Sequence, residues 1–371
     1  MPPSLLWLGT YESDYPRTRV LLEGLRSLGV QVQECHAPVW ELTRHKAGDF
    51  LSARRAPATL WRFARAWTSV LRRQRRHRDV DVLVAGYPAQ FDVPLAWLVA
   101  RLRRRPLVVD AMISLTDTLT GDRARASGVA GRALFAIDWL ALRLGDLVIT
   151  DTAAHADFFA ERFGLPRERL AVVPVGAETS FCAAPPPDGP PCALFYGKLA
   201  PLHGVDTVLA AARQPGVPPL RLIGDGQLGE WLAAELARDT PASLEHVPWV
   251  PYEQLGREVA DAAICLGIFG ASEKARRVVP NKVFQAMAVG RPIVTADTPA
   301  IREVLTHERD ALLVPAADPN ALADALRRLA GDEALRRRLG EAARARYLAV
   351  ATPEVVARRL VAAMPTSTAQ T

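Results

Sequence analysis

Ile264-Cys265-Leu266-Gly267-Ile268-Phe269-Gly270, a polar basic loop, and then Pro280-Asn281-Lys282-Val283-Phe284-Gln285-Ala286-Met287-Ala288-Val289-Gly290 decide the fold. The first piece is a short apolar run that stops at a glycine, as a buried parallel strand does. Asn281 is placed to cap a helix, and Gly290 with Pro292 to end it. Val283, Met287 and Gly290 share one helical face, which predicts packing of that face on a sheet. Arg291-Pro292-Ile293-Val294-Thr295-Ala296-Asp297 then returns as a strand. This order puts a helix N-terminus where strand carboxyl ends open into a crevice. Backbone N–H groups there favour an anion, and Lys274, Arg276, Arg277 and Lys282 add positive charge. The expectation is a site for a phosphorylated ligand.

The same alternation runs outward in both directions. Ser4-Leu5-Leu6-Trp7-Leu8-Gly9 reads as a first strand, a polar loop covers 10–19, a helix covers 20–28, and 30–35 is a second strand. Gly9 lets a ligand approach the backbone closely. A full GxGxxG pattern is absent, so nothing here supports a dinucleotide. Apolar runs at 81–86, 106–110 and 146–150 follow helical stretches, and a helix follows at 153–163. Strand and helix thus alternate to about residue 175, which predicts a parallel, doubly wound sheet. Ala183-Ala184-Pro185-Pro186-Pro187-Asp188-Gly189-Pro190-Pro191 reads as a stiff linker. The expected organisation is a domain over 1–182, a linker over 183–191 and a second domain over 192–350. In the second, strands are predicted at 192–196, 220–223, 244–247 and 262–268, and Asp318-Pro319 starts a helix with Asp as cap. A helix over 354–364 is expected to pack back on the first domain, ahead of a polar tail.

A length of 371 residues suits two domains, and 49% hydrophobic with 23% charged residues marks a globular chain. Cys35, Cys182, Cys192 and Cys265 form no CxxC pair, which fits a reduced cytoplasmic protein. No apolar run reaches membrane-spanning length, and the N-terminus lacks a basic signal-peptide start. Residues 1–180 hold 25 Lys+Arg against 19 Asp+Glu, whereas the rest holds 21 of each. The positive charge therefore belongs to the first half and implies an anionic partner there, a membrane surface or an acidic acceptor. Over 57–78, Leu60, Phe63, Trp67 and Leu71 share a helical face, with Arg62, Arg65, Arg72, Arg73, Arg75 and Arg76 elsewhere. A second basic helix end lies at 97–105. Two readings stay open: contact with anionic headgroups, or core-packed helices with solvated arginine ends. No motif for nucleic acid accompanies these stretches. Asp79-Val80-Asp81 stands at a strand start, which favours a structural role over a metal.

Tyr196-Gly197-Lys198-Leu199-Ala200-Pro201-Leu202-His203-Gly204-Val205 resembles the phosphate loop of family 4 glycosyltransferases. Gly224-Asp225-Gly226, the stretch 280–290, Asp310-Ala311-Leu312-Leu313-Val314-Pro315 and Val172-Val173-Pro174-Val175-Gly176-Ala177 resemble the same family in the same order. The resemblance covers about residues 4–350 and is densest in the second half. It implies a GT-B fold: two Rossmann-like domains facing each other across a cleft, with the nucleotide sugar mainly on the second and the acceptor mainly on the first. It implies neither metal nor cofactor. The donor is a nucleotide diphosphate sugar of UDP or GDP type, and the acceptor a saccharide, a lipid-linked compound or a small molecule. Independently of the resemblance, the cysteine pattern points to the cytoplasm and the basic first domain to peripheral contact with an anionic membrane.

The resemblance carries roles residue by residue. Lys198 and His203 stand where the family has an arginine and a lysine facing the diphosphate, His203 acting best when protonated. Gly197, Gly204 and Gly224 shape that loop. The family's two glutamates, eight positions apart, are replaced by Arg277 and Gln285. Gln285 keeps an amide for the ribose hydroxyls, and Glu273 takes the sugar-hydroxyl role. Lys274, Asn281 and Lys282 complete the donor wall. The base is expected near Trp249 and Val250, with Trp249 either stacking or a core or cleft-wall residue, and Glu303 either a ribose partner or a surface charge. In the first domain Gly9 and Thr10 approach the diphosphate or the acceptor, and Asp110, followed by Ser114 and Asp117, is the acceptor-side candidate. His155 is expected on a helix surface. The implied reaction is glycosyl transfer with retention, for cell-surface glycan or glycoconjugate synthesis. A nucleotide-sugar epimerase and a non-catalytic nucleotide-sugar-binding or scaffolding partner are the rival readings.

Overall fold

The computed structural model describes residues 3–40, 56–77, 79–122 and 128–365. Packing divides the chain into two units, one reaching Pro174 and taking up the chain again from Pro353, the other spanning Val175–Thr352. The first unit holds strands β1 (Leu5–Gly9), β2 (Val32–His36), β3 (Val82–Ala85), β4 (Leu107–Asp110), β5 (Leu147–Thr150) and β6 (Leu170–Val172). Its helices are α1 (Pro16–Ser27), α2 (Ala56–Arg73), α3 (Val93–Arg103), α4 (Gly128–Leu144) and α5 (Ala153–Phe163). The strands pair in parallel in the order β2-β1-β3-β4-β5-β6.

The second unit holds β7 (Ala193–Tyr196), β8 (Leu220–Ile223), β9 (Leu244–Val247), β10 (Ile264–Leu266), β11 (Ile293–Ala296) and β12 (Leu312–Val314). Helices α6 (Val205–Ala212), α7 (Gly229–Arg238), α8 (Leu255–Asp261), α9 (Asn281–Val289), α10 (Pro299–Val304), α11 (Pro319–Gly331) and α12 (Glu333–Val350) accompany them, and the final helix α13 (Pro353–Ala363) belongs to the first unit. This sheet is also parallel, ordered β12-β11-β10-β7-β8-β9. The chain steps outward from β7 to β9, then returns to the other side of β7 for β10. Such a reversal opens a crevice at the carboxyl ends of the two strands that flank it.

Burial on both faces explains the near-continuous apolar strands. In the first unit Leu6, Leu83, Val109 and Val148 pack with Phe63, Val99 and Phe159 on one face. Leu5, Trp7, Val84 and Ile149 pack with Leu21, Leu25 and Leu360 on the other. Helix α13 lies on α1 at Gly24, where a Cβ would stand 1.9 Å from the Pro353 carbonyl oxygen.

Several local expectations need correction. Helix α1 begins at Pro16 rather than 20, since proline's fixed φ suits the first helical position. Leu60 is exposed, so the buried face of α2 is Phe63 with Trp67 and Leu71. Asn281 caps nothing: Pro280 holds the N-cap position of α9, and Asn281 is the first helical residue. That helix buries every residue from Lys282 to Val289, not one face. The cause is α12 on its outer side, where a Cβ on Gly340 would lie 2.3 Å from the Gly290 oxygen. The break between units falls at Pro174, ahead of the proline-dense run. Arg291 holds that run to the second unit, donating to the carbonyls of Ala184 (3.2 Å) and Pro185 (2.5 Å). At α11 the expected cap is present: Asp318 accepts from the backbone N–H of Asn320 and Ala321 at 2.9 and 3.0 Å.

Candidate functional site

The carboxyl ends of β7 and β10 bring together the loop after Tyr196, the segment Phe269–Gly270 and the start of α9. Gly197 leaves β7 with φ 133°, and Gly224 leaves β8 with φ 145°. A Cβ on Gly224 would lie 2.0 Å from the Gly197 oxygen, so these turns interlock through bare backbone. Gly204, at φ 64°, presses on Phe269 and Gly270; a Cβ there would meet the Gly270 nitrogen at 2.6 Å. The backbone closes the contact, with Phe269 N–H donating to the His203 carbonyl at 3.1 Å.

Two side chains, those of Lys282 and His203, face the small side of Gly197. A methyl there would stand 3.4 Å from Lys282 Nζ and 3.5 Å from His203 Cε1. The Lys282 ammonium is buried, sits 3.9 Å over the Phe195 ring, and has no hydrogen-bond partner. Burial lowers its pKa from 10.5 to about 7. Burial, and then the Lys282 charge, push the His203 imidazole well below its ordinary range, with Lys274 and Lys198 adding to the effect. That shift favours the neutral ring and runs against the cationic role expected of His203. One ring nitrogen meets the Lys198 backbone, and Nδ1 is enclosed without a partner. Lys198 itself is exposed and Lys274 is buried.

Behind Lys282 runs a chain of hydrogen bonds, buried at Tyr196 and Gln285 and half-buried at Tyr252, that the sequence did not announce. Tyr196 OH donates to Gln285 Oε1 at 2.7 Å, Gln285 Nε2 donates to Tyr252 OH at 3.1 Å, and Tyr252 OH donates to Glu178 Oε1 at 2.6 Å. Gln285 is engaged at both ends of its amide, which corrects the ribose role expected of it. Gln285→Ala is expected to take one partner each from the buried Tyr196 hydroxyl and the half-buried Tyr252 hydroxyl, and to cost about 1–3 kcal/mol. Chemical denaturation checks this, and an unchanged midpoint overturns it. Glu273 is exposed, 4.0 Å from Arg276, and Trp249 and Val250 lie beyond the end of β9 with Trp249 exposed. Trp249 is thus not a core residue. Asn281 and Arg277 are half-buried on the approach to α9.

In the first unit the strand-end residues are locked internally. Asp92 accepts from the Thr10 N–H (2.6 Å), the Thr10 hydroxyl (2.9 Å) and Trp67 Nε1 (2.9 Å), leaving no room beside Gly9. Burial raises the Asp92 pKa to about 6 against those three donors. Asp110 is fully buried and takes Arg17 Nε on both oxygens at 2.8 and 3.0 Å, while Arg17 Nη1 donates to the Val173 carbonyl at 2.8 Å. Its acceptor-side role is corrected to a buried ion pair, and no local pattern marked Arg17 as the partner. Ser114 donates to Asp138 at 2.8 Å, and Asp117 N–H donates back to Ser114 Oγ. His155 is buried, not on a surface, with Nδ1 2.8 Å from Asp151 and its ring stacked on Phe159. Asp81 accepts from Ser4 and pairs with Arg105, a structural role. Among the described residues no group of three or more His, Cys, Asp or Glu side chains is placed to hold a metal.

Two doubly wound parallel units with a cationic, glycine-lined crevice define the GT-B class, and the chain is built of two glycosyltransferase-family domains. Residues 13–176 match the family described as glycosyl transferase 4-like domain, and residues 206–362 the one described as glycosyl transferase-like. Among curated proteins, the chain is 30% identical over 220 residues to D-inositol 3-phosphate glycosyltransferase of Nocardia farcinica, covering 53% of this chain and 47% of that protein. It is 29% identical over 180 residues to the amylovoran biosynthesis glycosyltransferase AmsK of Erwinia amylovora, covering 46% and 44%. The chain thus spans about half the length of the curated relatives it matches. Sucrose-phosphate synthase of Thermosynechococcus elongatus shares the fold with a TM-score of 0.74 at 17% identity, over 98% of this chain and all of that one. Anabaena HepE, solved with UDP-glucose, shares it with 0.68 at 15%, over 97% and 98%.

Proposed function

We propose that the protein transfers a sugar from a nucleoside diphosphate sugar to an acceptor hydroxyl, with retention and without a metal. The observation that carries this is the buried, unpartnered ammonium of Lys282 in the first turn of α9, beside the bare backbone of Gly197. A charge held out of water without a counter-ion is costly, and a diphosphate arriving at the helix N-terminus relieves that cost. As the glycosidic C–O bond breaks, negative charge grows on the leaving phosphate. Lys282, the first N–H groups of α9 and the exposed Lys198 stabilise it, which is the work a metal does elsewhere. His203, its neutral form favoured and one ring nitrogen engaged by the Lys198 backbone, lines the space beside Gly197 rather than supplying a charge. The cations gathered at this site favour a same-face route, in which the leaving phosphate takes the acceptor proton. Glu273, at the open rim, is the proposed partner of a sugar hydroxyl.

Relatives named for GDP-mannose and a neighbour solved with UDP-glucose support a UDP- or GDP-sugar donor. Relatives named for amylovoran and colanic acid synthesis support a role in cell-surface glycans and a saccharide or lipid-linked acceptor. The test is a thermal-shift screen with UDP, GDP and the parent nucleosides, followed by mass spectrometry and anomer assignment of products from candidate acceptors. Selective stabilisation by one diphosphate and a retained anomer are expected. An inverted product removes the same-face route. Reaction without any acceptor replaces the reading by an epimerase, and binding without turnover or donor hydrolysis by a binding partner. Glu273→Ala with unchanged donor affinity and turnover removes that residue from the site.

A further inference from the structure

The hydrogen bonds behind Lys282 join four separate stretches of the second unit, and they have a direction. Glu178, 5% exposed, follows the break at Pro174 and, as a carboxylate, only accepts. The Tyr252 hydroxyl has one proton and gives it to Glu178 Oε1 at 2.6 Å, so toward α9 it presents lone pairs. The residue at 285 must therefore donate to Tyr252, as Gln285 Nε2 does at 3.1 Å. At the other end the Tyr196 hydroxyl donates, so the residue at 285 must also accept, as Gln285 Oε1 does at 2.7 Å. An amide meets both demands with two different atoms, whereas an ionised glutamate offers two acceptors and no donor.

This chain holds α9 on the face that carries Lys282. Lys282 and Gln285 are three positions apart, hence neighbours along one side of the helix. Tyr196 OH spans that turn, for it also lies 3.5 Å from the Lys282 carbonyl oxygen. Phe195 and Tyr196 close β7, and the Phe195 ring is the surface over which the Lys282 ammonium sits. The ammonium has no hydrogen bond of its own to fix its direction. A rotation of α9 about its axis would carry it off the ring and away from Gly197. Gln285 is 2% exposed and engaged at both ends of its amide, so it keeps no group for a ligand.

We propose that Gln285 is a positioning residue: through the Tyr196–Gln285–Tyr252–Glu178 chain it holds the first turn of α9 so that the Lys282 ammonium faces the backbone of Gly197 and the diphosphate bound there. The inference rests on the diphosphate reading of that crevice and adds to it a residue that acts through Lys282 without touching the ligand. Misplacement of a binding group by about 1 Å costs up to about a hundredfold in sites of this kind.

Calorimetric titration of the full chain with UDP and with GDP tests it in a double-mutant cycle. Gln285→Met keeps the length of the side chain and removes both hydrogen bonds; Lys282→Met removes the ammonium. Gln285→Met alone is expected to weaken nucleotide binding about tenfold, but by no more than about twofold in the Lys282→Met background, where the group it positions is gone. Gln285→Glu should lose about as much as Gln285→Met, and adding Glu178→Gln should recover most of that loss. Tyr252 then donates to the carboxylate at 285 and accepts from the amide at 178, so the chain is complete again in the reverse direction. Where Gln285→Met does not fold, Tyr252→Phe, at a half-buried position, carries the same cycle with an expected loss of about threefold to tenfold. Unchanged affinity per folded molecule, an equal loss in both backgrounds, or no recovery on adding Glu178→Gln overturns the proposal and leaves the diphosphate reading in place. No effect of Lys282→Met, or no binding of either nucleotide by the wild type, overturns both.

Discussion

Lys282→Met is expected to move stability and binding in opposite directions. The ligand-free variant should melt at or above the wild-type temperature, since methionine fills the space over Phe195 without burying a charge. Nucleoside diphosphate affinity should fall about tenfold to a hundredfold, the scale of a lost charge-assisted hydrogen bond. The pH dependence follows from the lowered pKa. A lysine that titrates at about 7 when folded and 10.5 when unfolded binds fewer protons in the folded state over that window. Its presence therefore opposes folding most below 7, and the cost fades as pH rises toward 10.5. Relative to Lys282→Met, wild-type stability should climb between those values. Binding has the reverse dependence, because an anion favours the ammonium: above 7, nucleotide uptake should draw in a proton, and affinity should decline as pH rises. Calorimetry in buffers of different ionisation heat reads that proton directly. A variant that binds as tightly as wild type, or a wild type that takes up no proton above 7, sinks the assignment.

The other large effect lies in the first unit. Asp110→Ala is expected to cost about 3–5 kcal/mol, because it strands the Arg17 guanidinium inside the protein. Arg17→Met combined with Asp110→Leu should recover most of that loss, since the desolvation of both charges disappears with them. Activity per folded molecule should survive in the double variant. Denaturant unfolding with activity corrected for the folded fraction separates the two roles. A folded double variant with abolished turnover would return Asp110 to the reaction.

Both outcomes bear on how much the chain disclosed. The alternation of apolar runs with helical stretches was legible because each strand is buried on both faces, and an all-parallel sheet leaves that mark in every window. Glycines 197, 204 and 224 were legible for a related reason: a turn that admits no Cβ admits few other residues. Lys282 was marked by its place in the first turn after Pro280. Its burial was not, since the covering elements come from 195–196 and from the loop before α9. Gln285 and His203 were assigned roles by position alone, and tertiary neighbours changed both. Tyr196 and Tyr252 occupy Gln285, and burial with Lys282 disfavours a charge on His203. Arg17 went unnoticed because its partner is 93 residues away.

Local pattern by itself determined the class of fold, the succession of elements and the stretch that carries the glycine-lined crevice. These depend on periodicity, turn chemistry and charge within a few residues. Only the tertiary structure decided which charged groups are enclosed and which hydrogen bonds are already made. Desolvation and pairing are properties of what packs on a residue, and the packing partners come from distant parts of the chain.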